Sequence, residues 1–120
     1  MDRIFINLSF FEKCWKELKL DDDDLKSFQE FLLEKPDRGD IIPNTGGVRK
    51  VRWDLPKSNK GKSGGIRVLY MDYEYYEKLY LLLAFPKSKK ENISEKTKQE
   101  IKKIVKEISE QLKKNSQLNK

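Results

Sequence analysis

The chain has 120 residues, a length typical of one domain, and its 26 basic and 20 acidic side chains give a net charge of +6 at neutral pH. It contains one cysteine, Cys14, and no histidine, which excludes an intramolecular disulfide, a cysteine-cluster metal site and a histidine general base. Residues 1–11 include the acidic Asp2 and no long apolar stretch, so we expect no signal peptide and a folded, cytoplasmic protein.

The positive charge is concentrated in the second part of the chain. Residues 1–47 carry 7 basic and 11 acidic side chains, a net −4, whereas residues 48–120 carry 19 and 9, a net +10. Residues 48–67 alone contribute +6, with Asp54 as their single acid. This density favours contact with phosphate groups. The alternative is a solvated, lysine-rich surface with no binding role. The arginines and glycines of the segment favour phosphate binding over this alternative.

The acidic part of the chain predicts one short strand and two helices. Residues 3–7 alternate weakly as a strand, and apolar residues at helical spacing then predict an amphipathic helix. Four consecutive aspartates follow at 21–24, where a helix start is favoured over a metal site because carboxylates stabilise the exposed amides of a first turn. The second helix ends before Pro36. The expected buried residues of the two helices are Phe10, Phe11, Cys14, Trp15, Leu18, Leu25, Phe28 and Leu32.

Turn-forming residues at 39–47 lead into a strand at 48–53, where apolar and basic side chains alternate. The two-residue period of a strand places Val51 and Trp53 on one face, and Lys50 and Arg52 on the other. Residues 56–65, with the sequence PKSNKGKSGG, are predicted to form a flexible basic loop.

Two further strands, at 66–73 and 79–85, are joined by residues 74–78 and should form a hairpin at the centre of the sheet. Ser94 is a candidate N-cap for a final helix, whose apolar residues recur at helical spacing. We therefore expect an α+β fold, with a small, largely antiparallel sheet, two N-terminal helices and one C-terminal helix. A single domain should cover residues 1–114, with 115–120 as a frayed tail and the cations on the open face of the sheet.

Two stretches of the sequence resemble the RelE-type toxins of the HigB branch. They are GDIIPNTGGVRKVRWDLPKSNKGKSGGIRVLYMDY and YLLLAFPKSKKENIS. The shared pattern comprises a Thr-Gly-Gly turn, an Arg-Lys-x-Arg strand, a Gly-x-Lys-x-Gly-Gly loop, an Arg-Val-x-Tyr strand and an apolar strand that ends near a lysine. The pattern is present in order from residue 39 to residue 87, and the flanking helices fit it as well.

The resemblance implies a ribosome-dependent endoribonuclease that cuts translated mRNA in the A site. The ribose 2′-hydroxyl would be the nucleophile, with no metal and no cofactor. The expected partners are mRNA, ribosomal RNA and a HigA-type antitoxin with a helix-turn-helix, so DNA would be reached only through the antitoxin. Whether the antitoxin covers residues 48–67 or binds elsewhere is left open.

The resemblance also assigns roles to individual residues. Arg67 matches a transition-state clamp, Lys50 or Arg52 a phosphate ligand, and Lys50 or Lys87 the proton carrier. Arginine suits the first role because its planar fork can hold two phosphoryl oxygens. Phe85 stands where the family commonly has a tyrosine, so it can stack on a base but cannot serve as general acid, whose identity stays open. The remaining predicted RNA contacts are Arg49, Lys57, Lys60 and Lys62.

A non-catalytic RNA- or ribosome-binding module is the main alternative, and a structural scaffold is a third interpretation. The binding module would show the same basic surface without convergence of Lys50, Arg67 and Lys87. DNA binding is disfavoured because the two N-terminal helices are acidic and offer no basic recognition helix.

Overall fold

A computed structural model describes residues 2–54, 65–87 and 94–118 of the chain. Within these ranges the protein is an α+β structure with three α-helices, as the sequence predicts, and its sheet has five strands where four were predicted. No helix in the described part of the chain is long and apolar enough to cross a membrane. In chain order the elements are β1 (Ile4–Asn7), α1 (Ser9–Glu17), α2 (Asp22–Glu34), β2 (Asp40–Ile41), β3 (Arg49–Trp53), β4 (Ile66–Tyr73), a 3-10 turn (Glu74–Tyr76), β5 (Lys78–Pro86) and α3 (Glu95–Leu118).

The sheet has the strand order β1-β5-β4-β3-β2. The β4–β5 hairpin lies inside it, which confirms the prediction for these two strands. β1 runs parallel to β5, and the other three pairs are antiparallel. The two-residue strand β2 was not predicted, because its residues lie within a run of turn formers and their pairing with Arg49 and Lys50 depends on tertiary contacts.

α1 and α2 cover one face of the sheet with an aromatic cluster. The Trp15 and Trp53 rings stack with centroids 6.1 Å apart, and Phe28 meets Trp53 edge-on at 5.3 Å. Each of these side chains is at most 7% exposed, so the alternation in β3 does send Trp53 into the core. Burial of such large rings dominates the stabilisation of this layer.

The aspartate run begins α2, as predicted. The Asp21 side chain accepts a hydrogen bond from the Asp24 backbone amide at 2.8 Å, and the Asp24 side chain accepts one from the Asp21 amide at 2.9 Å. This reciprocal capping satisfies two amides that the helix itself leaves without partners. The carboxylates therefore have a structural role at this helix end.

α3 packs on the opposite face of the sheet. Its Ile101 and Val105 contact buried residues that include Leu69 on β4 and Leu82 on β5. The expectation that this face is open is therefore only partly correct. The apolar stripe of α3 needs partners, and the leucines on this side of the sheet supply them.

The C-terminal end of α3 continues beyond the expected domain boundary. The helix runs to Leu118, four residues past 114, and residues 119–120 lie outside the described ranges.

The first turn of α3 begins at the predicted cap, where the Ser94 hydroxyl accepts a hydrogen bond from the Thr97 amide at 3.2 Å.

Candidate active site on the sheet

Three of the predicted site residues form a row across the sheet. In the strand register Arg52 on β3 lies opposite Arg67 on β4, and Arg67 lies opposite Phe85 on β5. Residues paired in this way point to the same face, with Cα atoms about 4.5–5.5 Å apart. The face is the one that α3 partly covers, because Phe85 packs against the core cluster beneath that helix.

Lys50 occupies the neighbouring position on the same face. It lies two residues before Arg52 on β3 and opposite Leu69, so the alternation of the strand keeps both side chains on one side. Lys50 and Arg67 are half-buried, whereas Arg52 is exposed. The Arg67 guanidinium donates from Nη1 to the Ile66 carbonyl at 3.4 Å. Two arginines and a lysine therefore share one small area of the sheet.

A tight turn fixes where β3 begins. The Thr45 hydroxyl, fully buried, donates to the Ile42 carbonyl at 2.7 Å and accepts from the Val48 amide at 3.1 Å. Gly46 and Gly47 follow with φ of +85° and +111°, values that side chains disfavour. The Thr-Gly-Gly sequence thus sets the register of the strand that carries Lys50 and Arg52.

Gly65 plays the corresponding part at the start of β4. Its φ is +68°, and a Cβ there would lie 2.2 Å from the Trp53 carbonyl oxygen. Only glycine permits the end of β3 and the start of β4 to approach so closely. This contact lies two residues from Arg67, so it helps to hold Arg52 and Arg67 in register.

Lys87 directly follows β5, two residues after Phe85. Its backbone amide donates to the Gly65 carbonyl at 3.4 Å, which extends the β4–β5 ladder one residue beyond Pro86. The side chain is exposed. The backbone of Lys87 therefore lies beside the start of β4, the strand that carries Arg67.

Arg49 lies away from these cations. It pairs with Tyr70, which is buried in the α1–α2 core. Its Nη1 donates to the Gly39 carbonyl at 2.6 Å and to the Asp37 carbonyl at 3.2 Å. These hydrogen bonds attach the segment before β2 to β3. Three other predicted contacts, Lys57, Lys60 and Lys62, lie outside the described residues.

Asp54 is a site residue whose role the sequence did not reveal. Its Oδ1 lies 3.3 Å from Nε of Arg52, and both side chains are more than half exposed. The signal was present, because residues two apart on a strand share a face and Asp54 is the single acid of a strongly basic segment. An exposed pair of this kind contributes little to stability, so a phosphate bound at Arg52 would compete with the carboxylate.

The tyrosines of β4 and β5 have structural contacts. The buried Tyr70 hydroxyl donates to the Pro36 carbonyl at 2.7 Å and accepts from the Gly39 amide at 3.0 Å. The Tyr73 hydroxyl lies 3.1 Å from the Val105 carbonyl and 2.9 Å from Ser109 Oγ on α3. Burial raises the pKa of Tyr70, Tyr73 and Tyr80 above the usual tyrosine value. Tyr80 precedes Phe85 by five residues, about 16 Å along a strand, so it does not replace the missing phenol.

The geometry defines a class of protein: a small α+β domain whose sheet presents a cationic row suited to a phosphate backbone. A family model described as the RelE toxin of the RelE/RelB toxin–antitoxin system matches residues 2–120. The chain therefore belongs to the RelE toxin family, a family of endoribonuclease toxins. The family resemblance found in the sequence is confirmed at this level.

Among solved structures, the chain is similar to a mutant of the E. coli toxin RelE in the free state, in which two arginines are replaced by alanine. The two sequences are 17% identical, the match covers 73% of this chain and 86% of that one, and the TM-score is 0.47.

Proposed function

We propose that this toxin is a ribosome-dependent endoribonuclease of the HigB branch that cleaves translated mRNA in the A site. The observation that carries the proposal is the register of Arg52, Arg67 and Phe85, with Lys50 beside them on one face of the sheet. Two arginines can hold a phosphate while an aromatic ring stacks on the adjoining base. Membership of the RelE family supplies the reaction class.

The proposed reaction is an internal transfer at phosphorus. The ribose 2′-oxygen forms a bond to the phosphorus as its proton passes to the amine of one lysine, and the bond from phosphorus to the 5′-oxygen breaks as that oxygen takes a proton from a lysine ammonium. The products are a 2′,3′-cyclic phosphate and a 5′-hydroxyl. Negative charge increases on the phosphoryl oxygens in the transition state, and in this proposal Arg67 binds two of them.

Proton transfer falls to the lysines in this proposal. Arginine stays protonated at any ordinary pH, so it cannot serve as the general acid or the general base. Lys50 lies on the same face as Arg52 and is half-buried, and Lys87 lies where the β4–β5 ladder ends beside Gly65. Either ammonium can protonate the departing 5′-oxygen, and the chemistry needs no metal if the ribosome holds the RNA in line.

Membership of a toxin–antitoxin family supports the proposed partners. The cationic face binds mRNA and ribosomal RNA in the cytoplasm, and a HigA-type antitoxin with a helix-turn-helix keeps the toxin inactive. Contact with DNA is then indirect, through the antitoxin. α1 and α2 cover the other face of the sheet, and the chain up to residue 47 is acidic overall, which disfavours that side for RNA.

A non-catalytic RNA- or ribosome-binding module remains the second candidate. The observation that favours it is the pairing of Arg52 with Asp54, which ties one of the cations to a carboxylate. Such a module would bind ribosomes through many phosphate contacts and leave mRNA intact.

Inducible expression with mapping of RNA 5′ ends separates the two functions. We expect growth arrest and new 5′-hydroxyl ends inside translated reading frames, and none of either when the antitoxin is co-expressed. A purified system should show cleavage of mRNA on ribosomes and little cleavage of the same RNA alone. Growth arrest with intact mRNA would favour the binding module, and equal cleavage of free and translated RNA would contradict ribosome dependence.

A further inference from the structure

α3 presents two different flanks on either side of its buried stripe. One flank carries Thr97, Glu100 and Ile104, which line a groove of about 380 Å³ together with Leu8 and Phe10. Leu8 directly follows β1, and Phe10 lies in α1. This flank of α3 therefore faces the β1 edge of the sheet.

The other flank of α3 faces β3. The strand order places β1 and β3 on opposite sides of the β5–β4 pair. Val105 lies against the turn that leads into β3, 3.2 Å from where a Cβ on Gly46 would be, and Ser109 contacts Tyr73 of β4. The first contact places this side of the helix beside the turn into β3, and the second places it over β4, the strand next to β3.

Lys98 and Lys102 lie on the flank that faces β3. They are four residues apart, and Ser109 follows Lys102 by seven, so helical spacing places all three on one side. Lys98 is the more enclosed, with 24% of its side chain exposed, whereas Lys102 is exposed. A lysine with a packed stem and an accessible ammonium is well placed to bind an anion.

The charges of α3 are distributed unevenly around the helix. Glu100 and Glu107 are seven residues apart and share the groove side with Ile104. On the β3 side, Lys98 Nζ lies 3.5 Å from Oε1 of Glu95, whose side chain is 80% exposed. An exposed ion pair of this kind contributes little and is readily replaced by a phosphate.

We propose that Lys98 and Lys102 continue the cationic row of the sheet onto α3 and bind an RNA phosphate next to the cleavage site. The inference rests on the proposed function and adds a second wall to its binding surface. The sheet residues then bind the reacting phosphate, and the helix binds a second RNA phosphate beside it. Neither lysine takes part in the chemical step.

The same helix offers a control pair with the same charge. Lys96 and Lys103 are exposed and seven residues apart, which places them on the outer side of α3, away from the sheet. K98A/K102A and K96A/K103A both remove two positive charges from one helix. A difference between them therefore reports position and not net charge.

The experiment measures affinity for mRNA-programmed ribosomes at two salt concentrations, and single-turnover cleavage at saturating ribosomes. Two lost phosphate contacts should lower the salt slope by about 1.4–1.8, so the affinity deficit relative to wild type should be about tenfold larger at the lower of two salt concentrations that differ fourfold. K98A/K102A should show this loss, K96A/K103A should stay within about twofold of wild type, and cleavage of the bound complex should be unchanged in both. Melting curves check the fold, and K98Q/K102Q, which keeps the side-chain stems, replaces the alanine pair if it melts early.

Ribosomes whose mRNA ends in the P site distinguish the two sources of phosphate. If K98A/K102A remains weak on them, the contact is ribosomal RNA, and if the defect needs an A-site codon, the contact is mRNA. Either result supports the proposal. Equal affinities of the two double variants on intact complexes would overturn it while the proposed function stands. A wild-type chain that neither binds ribosomes nor cleaves mRNA would overturn both.

Discussion

At the scale of single residues, Arg67 separates an enzyme from a binding module. It lies between Arg52 and Phe85 in the sheet and is half-buried. If it stabilises charge that arises only in the transition state, Arg67→Ala should lower the single-turnover rate by about 10²-fold or more. Ribosome affinity should change only modestly, since binding rests on several phosphate contacts.

Two comparisons make the Arg67 experiment specific. Lys103→Ala removes the same charge from the outer side of α3 and should leave the cleavage rate unchanged. Arg67→Lys keeps the charge and should stay impaired, because a single ammonium cannot reproduce the two-pronged contact. If Arg67→Ala loses affinity and retains the wild-type rate once bound, Arg67 is a phosphate contact only.

Asp54 offers a second test at residue scale, with the opposite sign. Its carboxylate pairs with Arg52 across 3.3 Å at the surface, so RNA must displace it. Exposed pairs contribute at most about 1 kcal/mol, and Asp54→Asn should therefore tighten ribosome binding by about two- to fivefold at low salt. Asp37→Asn, an equal charge change in the segment before β2, is the control. Weaker binding by Asp54→Asn would show instead that the carboxylate positions Arg52 productively.

At the scale of elements, the β3–β4 register depends on Gly65. Its left-handed φ, and the overlap that a Cβ at this position would make with the Trp53 carbonyl oxygen, leave no room for a side chain. Gly65→Ala should therefore destabilise the protein by about 2 kcal/mol or more, since both strain and a steric clash must be relieved. Cleavage should fall further than stability alone explains, because Arg52 and Arg67 shift relative to each other.

Urea unfolding followed by tryptophan fluorescence measures the first effect, with Ser27→Ala on the exposed side of α2 as a neutral reference. Cleavage is then compared in the absence of urea, at a temperature where both variants are folded. A Gly65→Ala protein with wild-type stability and rate would show that the two strands adjust without cost.

Most elements could be predicted from local signals. β4 matches its predicted bounds because it is a long strand between turn formers, and α2 begins where Asp21 caps it. β2 could not be predicted, since two residues carry no periodicity. The position of α3 was also beyond the sequence: Ile101 and Val105 predict a buried stripe, but they do not state which face of the sheet receives it.

At the scale of the whole molecule, local pattern could predict that two site residues share a face only when both lie on the same strand. The alternation in β3 places Lys50 and Arg52 together without any knowledge of the fold. Their register with Arg67 depends on strand pairing, so it does not follow from local pattern. Arg49 was predicted to contact RNA because it lies in a basic strand. Its side chain instead lies on the opposite face from Lys50 and Arg52, where it donates hydrogen bonds to the Asp37 and Gly39 carbonyls.

The buried tyrosines predict how the stability of the whole protein depends on pH. The Tyr70 hydroxyl bonds Pro36 and Gly39 in the interior, and burial raises its pKa above the ordinary value of about 10. The folded protein thus holds this proton more tightly than the unfolded chain does. The resulting stability is complete below about pH 10 and is lost as the pH rises toward the folded pKa.

Tyr73 and Tyr80 shift in the same direction and add to this alkaline loss. At pH 8 Tyr70→Phe should cost about 1–3 kcal/mol, because it leaves the Gly39 amide and the Pro36 carbonyl without their partner. This cost should shrink as the pH rises from 8 to 11, since the variant no longer has to keep that phenol protonated. Urea unfolding of both proteins at pH 8, 10 and 11 measures the difference. A cost that stays constant or grows with pH would mean that the Tyr70 proton is not held more tightly in the folded state.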